Sequence, residues 1–486
     1  MCRKWVCLIF CVLLSGIAYK AVGDAVAVQN VTVAGEPKPA SGAAGVALNT
    51  TLSWTAGVGA QSHNVYFGTT SPGTFRGNQT ATTFNPGPLA AGATYYWRID
   101  EVNGPNTVIG PVWSFTMKVK VVMKLNRGIV IDRQFHQIPP ATGATFTATD
   151  IQLIKSMGSE FVKVIANPAC FISGATINDS NMWYLDYMVN TVVNQGLPVV
   201  VCIHPEAAFK HNHLGTSDGF KNLLGFYKYF AAYMAARWDS NELAFQLMTE
   251  PFGNSPDPNE WNCWNKLQPQ MWQVVRAAMP AHTLILSGDQ AGIIDGLVND
   301  VDPNLISDNN VYYSFTTYYP YTFTFQGWKL AGALSRWFNN VPYPSSTSNN
   351  PAQYILPECP NNLYSEAYNA VKTYCNTPWD MNQQRAILKP ITDWNNAHGG
   401  KLKIWCAEWG ALDRQMASEG GGCNPSDRIQ FIHDRRQAFE EINIGWAYWS
   451  YNEAFTVLDP NLRVHNSSSP SYNWVDKEML HALGLL

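Results

Sequence analysis

Residues 161–203, FVKVIANPACFISGATINDSNMWYLDYMVNTVVNQGLPVVVCI, decide the fold because two short apolar segments flank one longer segment of helical pattern. Short, nearly continuous apolar runs are typical of strands that are buried on both faces, as in parallel sheets. The segment between them, 181–195, predicts the helix that carries the chain back to the start of a parallel neighbour. This stretch therefore predicts a βαβ unit.

The same alternation continues on both sides of this unit, with further helices predicted near 148–157, 216–237 and 266–279. The predicted strands are RGIVI (127–131), FVKVIA (161–166), PVVVCI (198–203), LAFQLM (243–248), TLILSG (283–288), VYYSF (311–315), KIWCAE (403–408) and IGWAYWS (444–450). Eight strands with intervening helices predict an α/β fold, a parallel (β/α)8 TIM barrel that spans residues 119–486. A doubly wound sheet is the alternative, but no G-x-G-x-x-G follows a strand.

Residues 24–118 follow a different pattern, in which short alternating segments are separated by turn residues. The predicted strands are TLSW (51–54), HNVYFG (63–68), ATTFNPG (81–87), ATYYWRIDEV (93–102) and PVWSFTM (111–117). This spacing predicts a small all-β, immunoglobulin-like sandwich. The stretch LAAGATYYWRIDEVN resembles the fibronectin type III strand that carries a tyrosine corner, which implies Tyr95 at the corner and Trp54 and Tyr66 in the core.

The first residues, 1–23, predict a secretory signal peptide. Arg3 and Lys4 precede an apolar run over residues 5–18, which is too short for a stable membrane span. We therefore expect a secreted protein, extracellular or periplasmic, with no membrane anchor in the mature chain. Cleavage would remove Arg3, Lys4 and Lys20, which leaves 29 of the 32 basic residues against 36 acidic ones, a net charge of −7.

The composition excludes several classes of partner. Charged residues make up only 14% of the chain, with 32 Lys and Arg against 36 Asp and Glu, so there is no basic field to hold nucleic acid or an anionic membrane. Aromatic residues are abundant, with 18 Trp, 22 Tyr and 22 Phe, which suits either stacking against uncharged sugars or the packing of a large core and β-rich modules. His211 and His213 lack a third ligand at a set spacing, so we expect no metal and no cofactor.

Residues 328–398 form the longest interval between predicted strands and are interpreted as a loop insertion. Cys359 and Cys375 both lie there, and they are the best disulfide candidates of an exported chain. Cys202 and Cys406 lie inside apolar strands, so we expect buried free thiols there.

Polar residues at the C-terminal ends of the predicted strands are the candidates for chemistry, because barrel enzymes place their sites there. Glu250 follows the fourth strand and Glu408 ends the seventh. Two carboxylates at these ends are the minimum for retaining glycoside hydrolysis, in which the carboxyl groups lie about 5–5.5 Å apart. His204, Tyr318 and Trp449 follow the third, sixth and eighth strands.

From about Asn126 onward the chain resembles glycoside hydrolase family 5, the β-glucanase and β-mannanase group. The motifs occur in order, as Asn126-Arg127-Gly128, FVKVIANP, PVVVCIHPE, FQLMTEP, VYYSFTTYYPYTFTFQG, KIWCAEWG and IGWAYWSY. The resemblance implies Glu250 as acid/base and Glu408 as nucleophile, with His204, Tyr318 and Trp449 at the subsite where the bond breaks. Trp409 is a hypothetical further subsite residue. A polysaccharide or oligosaccharide substrate and a monomeric chain are expected.

Three positions depart from the family pattern. Thr249 replaces an Asn that normally binds the sugar 2-hydroxyl, Lys163 replaces an Arg, and Thr316 replaces a His. We assign all three to the substrate-binding pocket. These departures leave open a rival interpretation, a catalytically impaired carbohydrate-binding protein on a degenerate barrel.

Overall fold

The computed structural model describes residues 31–131, 146–329, 334–347, 350–414, 421–452, 454–458 and 475–485. The predicted signal peptide, residues 1–23, lies outside them. The chain divides into two compact units between Lys118 and Val119. No helix in the described ranges is long and apolar enough to cross a membrane.

In the described part of the first unit, strands are the only regular secondary structure. They are β1 (Gly35–Lys38), β2 (Ala43–Val46), β3 (Leu52–Thr55), β4 (Ser62–Gly68), β5 (Thr74–Gln79), β6 (Thr83–Phe84), β7 (Thr94–Asn103), β8 (Asn106–Val108) and β9 (Trp113–Met117). One sheet has the order β1-β3-β6 and the other β2-β9-β7-β4-β5, with β8 paired to β7. Their inner faces bury Trp54, Trp97 and Trp113 in one core.

The Tyr95 hydroxyl accepts a hydrogen bond from the backbone N–H of Ala90 at 3.0 Å, which ties β7 to the loop before it. This is the kind of contact that the tyrosine-corner interpretation expects. The likeness of the unit to fibronectin type III domains stays a prediction.

The second unit is built on eight parallel strands that close into a barrel, which confirms the predicted (β/α)8 architecture. Its strands are β10 (Arg127–Ile131), β11 (Phe161–Ala166), β12 (Ile172–Ser173), β13 (Thr176–Ile177), β14 (Val199–Ile203), β15 (Leu243–Gln246), β16 (Leu284–Ser287), β17 (Val311–Thr317), β18 (Lys403–Trp409) and β19 (Gly445–Tyr448). β12 and β13 form a separate two-stranded hairpin.

The barrel strands are buried on both faces, which explains why their sequences are nearly continuous apolar runs. Phe161, Val200 and Trp405 fill the interior of the barrel, while Val162 and Cys406 pack outward. A Cβ on Gly128 would lie 2.2 Å from the Phe161 ring, so the first strand needs glycine at this point of the packed interior.

Helices cover the outside of the barrel, and their apolar faces complete the larger core. They are α1 (Ala148–Ser156), α2 (Met182–Val193), α3 (Ala207–Leu214), α4 (Ser217–Ala235), α5 (Trp264–Ala278), α6 (Ile294–Asp300), α7 (Tyr321–Thr324), α8 (Asn361–Asn376), α9 (Met381–Ala386), α10 (Lys389–Ala397), α11 (Pro425–Glu441) and α12 (Lys477–Ala482). The interval 328–398, interpreted as a loop, therefore contains three of these helices.

The predicted disulfide between Cys359 and Cys375 is wrong, because both cysteines are free. Cys359 lies just before α8 and Cys375 near its last residue, so they occupy opposite ends of a 16-residue helix. Such a helix is about 24 Å long, whereas the Cα atoms of a disulfide lie within about 7 Å. The sequence spacing did not reveal the helix between them.

Candidate active site

The C-terminal ends of the barrel strands surround a cavity of about 350 Å³, referred to below as the central cavity. Its lining residues are His204, Glu250, Ala291, Ile293, Thr316, Tyr318, Tyr321, Phe325, Trp328, Glu408, Trp449 and Phe455. Both predicted catalytic carboxylates therefore face one space, at the end of the barrel where this fold places its chemistry.

A β-bulge in β18 brings Glu408 to this cavity. Phe315 of β17 pairs with Cys406, but the next residue, Thr316, pairs with Glu408, so Ala407 is an extra residue in the ladder. Simple alternation would place Glu408 on the same outward face as Cys406. The extra residue turns the carboxylate inward, as bulges beside active sites often do.

Glu408 is held by two donors, one on β11 and one in the segment that follows β15. The Lys163 Nζ donates to Glu408 Oε1 at 2.8 Å, and the Thr249 hydroxyl donates to the same oxygen at 3.2 Å. The side chain of Glu408 is only 2% exposed and that of Lys163 is not exposed at all. Burial alone would raise the pKa of Glu408, but the charges of Lys163 and His204 and these two hydrogen bonds lower it below its usual value. The carboxylate is therefore stabilised in the ionised form.

Glu250 lies in a different environment. Its side chain is 31% exposed, and its Oε2 lies 3.7 Å from Nε2 of His204. Burial, and then the charge of Glu408, raise the pKa of Glu250 to about 7, against the opposing effect of Lys210 and Lys163. The two carboxyl groups therefore differ in the way that a proton donor and a nucleophile must differ.

The backbone at Glu250 adopts a conformation that is uncommon for a residue other than glycine. Its φ angle is +48°, in the left-handed region. The backbone N–H of the preceding residue, Thr249, still donates to Ile203 O at 2.9 Å and so continues the barrel pairing. The chain leaves the barrel at Glu250, and strained conformations of this kind often occur at active sites.

Aromatic side chains form much of the wall of the central cavity. Phe455 packs against Tyr318, Phe325 and Trp328, with ring centroids 5.6, 5.9 and 5.2 Å away. The ring of Trp449 lies 6.4 Å from that of His204. Flat apolar faces next to a few polar groups suit the C–H faces and hydroxyls of a sugar ring.

Six of the nine predicted site residues line the central cavity, namely His204, Glu250, Thr316, Tyr318, Glu408 and Trp449. Lys163 and Thr249 are fully buried and contact Glu408 instead, so the assignment of these two residues to direct substrate binding is wrong. The Thr316 hydroxyl donates to Ala291 O at 3.1 Å and is part of the wall.

The prediction that Trp409 contributes to a subsite is also wrong. Trp409 is fully buried, and its ring packs edge-on against Phe439, Trp446 and Tyr448 on the outer side of the barrel. A residue that follows an inward-facing strand residue points to the opposite face, which is the physical reason.

The sequence interpretation missed several lining residues. Tyr321 and Phe325 lie in the aromatic-rich stretch after the sixth strand, so a signal for them was present. Trp328 and Phe455 lie outside any strand end, and no spacing pointed to them. Lys210 does not line the cavity, but its charge acts on Glu250, and the sequence interpretation missed it. Its side chain is 2% exposed, with the ammonium 4.5 Å from the centre of the Phe252 ring. In the described part of the chain, no three metal-ligating side chains come together.

A model of the cellulase family, glycosyl hydrolase family 5, matches residues 134–455. Endoglucanase 3 of Fibrobacter succinogenes is 24% identical over 309 residues, which are 60% of this chain and 43% of that protein. Endoglucanase C of Acetivibrio thermocellus is 23% identical over 326 residues, which are 63% of this chain and 84% of that protein. The chain thus spans less than half the length of the first of these relatives.

Solved structures show the same fold. Thermotoga maritima Cel5A in complex with cellobiose has a TM-score of 0.55 and 20% identity, with coverage of 74% of this chain and 97% of that one. The same enzyme in complex with a mannotriose substrate matches with the same score, identity and coverage.

Proposed function

The chain belongs to glycosyl hydrolase family 5, and on this premise we propose that this glycosidase hydrolyses a β-linked polysaccharide of β-glucan or β-mannan type by a retaining double displacement. The observation that carries the proposal is the pair Glu250 and Glu408, which line one cavity and have pKa shifts in opposite directions. The solved relative that was crystallised with cellobiose and with mannotriose supports this substrate class.

In the first step a carboxylate oxygen of Glu408 attacks the anomeric carbon while the bond to the leaving oxygen breaks. Glu250 gives its proton to that oxygen, so the leaving sugar departs as an alcohol. In the second step Glu250, now ionised, takes a proton from water, and the water oxygen displaces Glu408 from the anomeric carbon. The β configuration is thereby retained.

The remaining predicted residues bind and orient the sugar in this proposal. Trp449 offers a flat face to the pyranose C–H groups, and the hydroxyl of Tyr318 and the ring of His204 provide polar contacts in the same cavity. His204 also lies beside Glu250, where it restrains the acid/base carboxyl.

Two of the three residues that depart from the family pattern contact the nucleophile, but the contacts differ from those that the family pattern provides. Lys163 gives Glu408 a buried ion pair, although it lacks the planar fork of an arginine. Thr249 uses its hydroxyl on Glu408, so it does not replace the missing asparagine contact to a sugar hydroxyl. That loss is the observation that favours the rival candidate, a carbohydrate-binding protein without turnover.

The test is a comparison of Glu408→Gln and Glu250→Gln on a natural polysaccharide and on an activated aryl β-glycoside. We expect Glu408→Gln to lose essentially all turnover of both substrates, because a neutral amide cannot act as the nucleophile. Glu250→Gln should keep much more activity on the aryl substrate, whose leaving group needs little acid assistance.

Glu206→Gln is the matched control, since this glutamate lies on the same side of the barrel but does not line the central cavity. More than about a tenth of the wild-type rate in Glu408→Gln, a barrier change below ~1.4 kcal/mol, would exclude the nucleophile assignment. Sugar binding by wild type with no turnover of any substrate would favour the binding protein instead. A panel of soluble β-glucans, mannans and xylans would identify the sugar.

The proposal includes export of the chain and action as a monomer, with an all-β unit over residues 24–118 and the catalytic unit over 119–486. The basic residues Arg3 and Lys4 ahead of an apolar run support export. The boundary at Lys118 supports the division into two units.

A further inference from the structure

Arg428 is a buried arginine in the first turn of α11, and it does not line the central cavity. Its Nε donates to Ala411 O and its Nη1 to the Asp413 carboxylate, each at 3.0 Å, in the segment that follows β18. Its Nη2 donates to O of Phe455 and of Thr456, at 3.1 and 2.8 Å, in the segment that follows β19. One guanidinium therefore joins the two segments that leave the last two barrel strands.

The segment that carries Phe455 depends on such donors because residues 454–457 belong to no helix or strand. A buried backbone carbonyl without a partner costs free energy, and this segment has no strand pairing to supply one. Phe455 O accepts a second hydrogen bond from the Tyr448 hydroxyl at 2.9 Å, and Ala454 O accepts one from the backbone N–H of Asp413 at 3.0 Å. Donors from α11, β19 and the segment after β18 thus hold this part of the chain.

The segment after β18 is tied in turn to the chain that follows β17. The backbone N–H of Leu412 donates to O of Thr324, the last residue of α7, at 2.9 Å. A Cβ on Gly410 would lie 3.2 Å from Cδ1 of Phe455, so this ring lies against the backbone two residues after Glu408. The segments after three successive strands are therefore bonded together beside the nucleophile.

Phe455 is the ring that connects one wall of the central cavity. Tyr318, Phe325, Trp328 and Phe455 all line this cavity and are referred to below as the aromatic wall. The ring of Phe455 contacts each of the other three, with the centroid distances given above. A displaced Phe455 would therefore remove a packing contact from every other ring of the wall.

The contacts of Arg428 require a guanidinium. This group presents five N–H donors in a rigid plane, and here they reach one carboxylate and three backbone carbonyls. A lysine ammonium could still face Asp413, but its donors leave a single nitrogen and cannot span both segments. Asp413 balances the buried charge, at 3.0 Å from Nη1.

We propose that Arg428 is a positioning residue, which fixes Phe455 and through it the aromatic wall that binds the sugar. It acts on the affinity of the central cavity for its ligand, not on proton transfer or nucleophilic attack. This inference rests on the proposed sugar substrate. It gives a functional role to a side chain behind the wall, at a position that is not a strand end.

The test separates a change in KM from a change in the amount of folded enzyme. Loss of folded protein lowers the apparent kcat and leaves KM unchanged, whereas a displaced wall weakens sugar binding and raises KM. We expect Arg428→Lys to raise KM for a soluble β-linked oligosaccharide about tenfold or more, with kcat within about threefold of wild type. Tyr448→Phe, which removes only the second donor to Phe455 O, should raise KM about two- to threefold.

A double-mutant cycle shows whether Arg428 acts through Phe455. In the Phe455→Ala background, Arg428→Lys should change KM by less than about twofold, because the ring that it positions is gone. An unchanged KM in folded Arg428→Lys, or a rise that persists in full in Phe455→Ala, would overturn the proposal. If Arg428→Lys does not fold, Tyr448→Phe decides in the same way: a KM rise that disappears in Phe455→Ala supports the proposal, and an unchanged KM or a persistent rise overturns it.

Arg276→Lys is the matched control. Arg276 also donates to one carboxylate, that of Asp308, and to three backbone carbonyls, but it lines no part of the central cavity. One of these carbonyls is that of Asn310, just before the N-terminal end of β17, so the contacts lie at the other end of the barrel strands. We expect Arg276→Lys to lower Tm and to leave KM unchanged in both backgrounds.

Failure of the proposed hydrolysis would appear separately, as a wild type that turns over no substrate. The same cycle is then measured as the Kd of the oligosaccharide by calorimetric titration, with the same ratios expected. A wild type that binds no oligosaccharide would overturn the role of Arg428 as well.

Discussion

At the scale of single residues, the site shifts the pKa values of two glutamate carboxyl groups in opposite directions, although the two groups have nearly the same intrinsic pKa. Glu408 lies against a buried ammonium and a hydroxyl, whereas Glu250 lies beside a carboxylate and a partly exposed imidazole. The first environment stabilises the charged form and the second the neutral form. Lys163 therefore contributes most of the charge that distinguishes the two glutamates.

Replacement of Lys163 by methionine should show this directly. Without the ammonium, Glu408 becomes an unpaired buried charge, so its pKa rises and the acidic limb of kcat/KM moves to higher pH. The loss of one partner of a buried pair should also destabilise the fold by about 3–5 kcal/mol. The measurements are a pH profile of kcat/KM and thermal unfolding.

Lys163→Arg is the control, because it keeps the charge that faces Glu408. We expect its acidic limb to stay near that of wild type, even if its rate falls through poorer geometry. An unshifted acidic limb in Lys163→Met would contradict the role of this ion pair.

The basic limb of the pH profile belongs to Glu250, which must be protonated in the first step. Its pKa of about 7 predicts that kcat/KM falls as the pH rises through about 7. The charge of Lys210 lowers this pKa, so Lys210→Met should move the basic limb to higher pH. The exposed Lys221 provides the control, Lys221→Met, for which no movement is expected.

Lys210 is suited to this test because of what surrounds it. Burial lowers its own pKa, while the charges of Glu250, Glu408, Cys202 and Glu206 oppose that effect. The ammonium also lies over the Phe252 ring, two residues after Glu250. A basic limb that stays in place in Lys210→Met would show that this cation does not act on Glu250.

At the scale of elements, the barrel could be predicted because each strand is an apolar run between helical segments. The order of the strand ends then placed Glu250 and Glu408 at one end of the barrel. The bulge at Ala407 could not be predicted, since it depends on pairing with β17 rather than on the sequence of β18. Trp409 was misassigned because it was grouped with Glu408 at the strand end, although consecutive strand residues point to opposite faces. Phe455 was missed because its loop position follows from tertiary packing.

Helix α8 gives an element-scale prediction about the cysteines. Because Cys359 and Cys375 lie at opposite ends of this helix, alkylation of the unreduced, unfolded protein should label both. Peptide mapping by mass spectrometry makes the measurement, with Cys202 and Cys406 as internal controls for buried free thiols. A peptide that joins Cys359 to Cys375 and separates only on reduction would contradict the helix in this interval.

At the scale of the whole molecule, each unit has a hydrophobic core of its own. The core of the first unit is built from its two sheets, and those of the second from the barrel interior and the layer of helices around it. The division between the units falls between Lys118 and Val119. A unit with its own core is expected to unfold cooperatively by itself.

A buried pair in the first unit allows this independence to be tested without cutting the chain. The His63 ring is hydrogen bonded to Glu101, whose other carboxylate oxygen accepts from the backbone N–H of Gly57 at 2.9 Å. Glu101 is not exposed, so Glu101→Ala should destabilise the first unit by about 3–5 kcal/mol.

Calorimetry should therefore show two transitions in wild type and a lower Tm for only one of them in the variant. Turnover of a soluble substrate at 25 °C should stay within about twofold of wild type, because Glu250 and Glu408 belong to the second unit, which has a core of its own. A parallel fall of both transitions, or a large loss of turnover in a folded barrel, would show that the two units depend on each other.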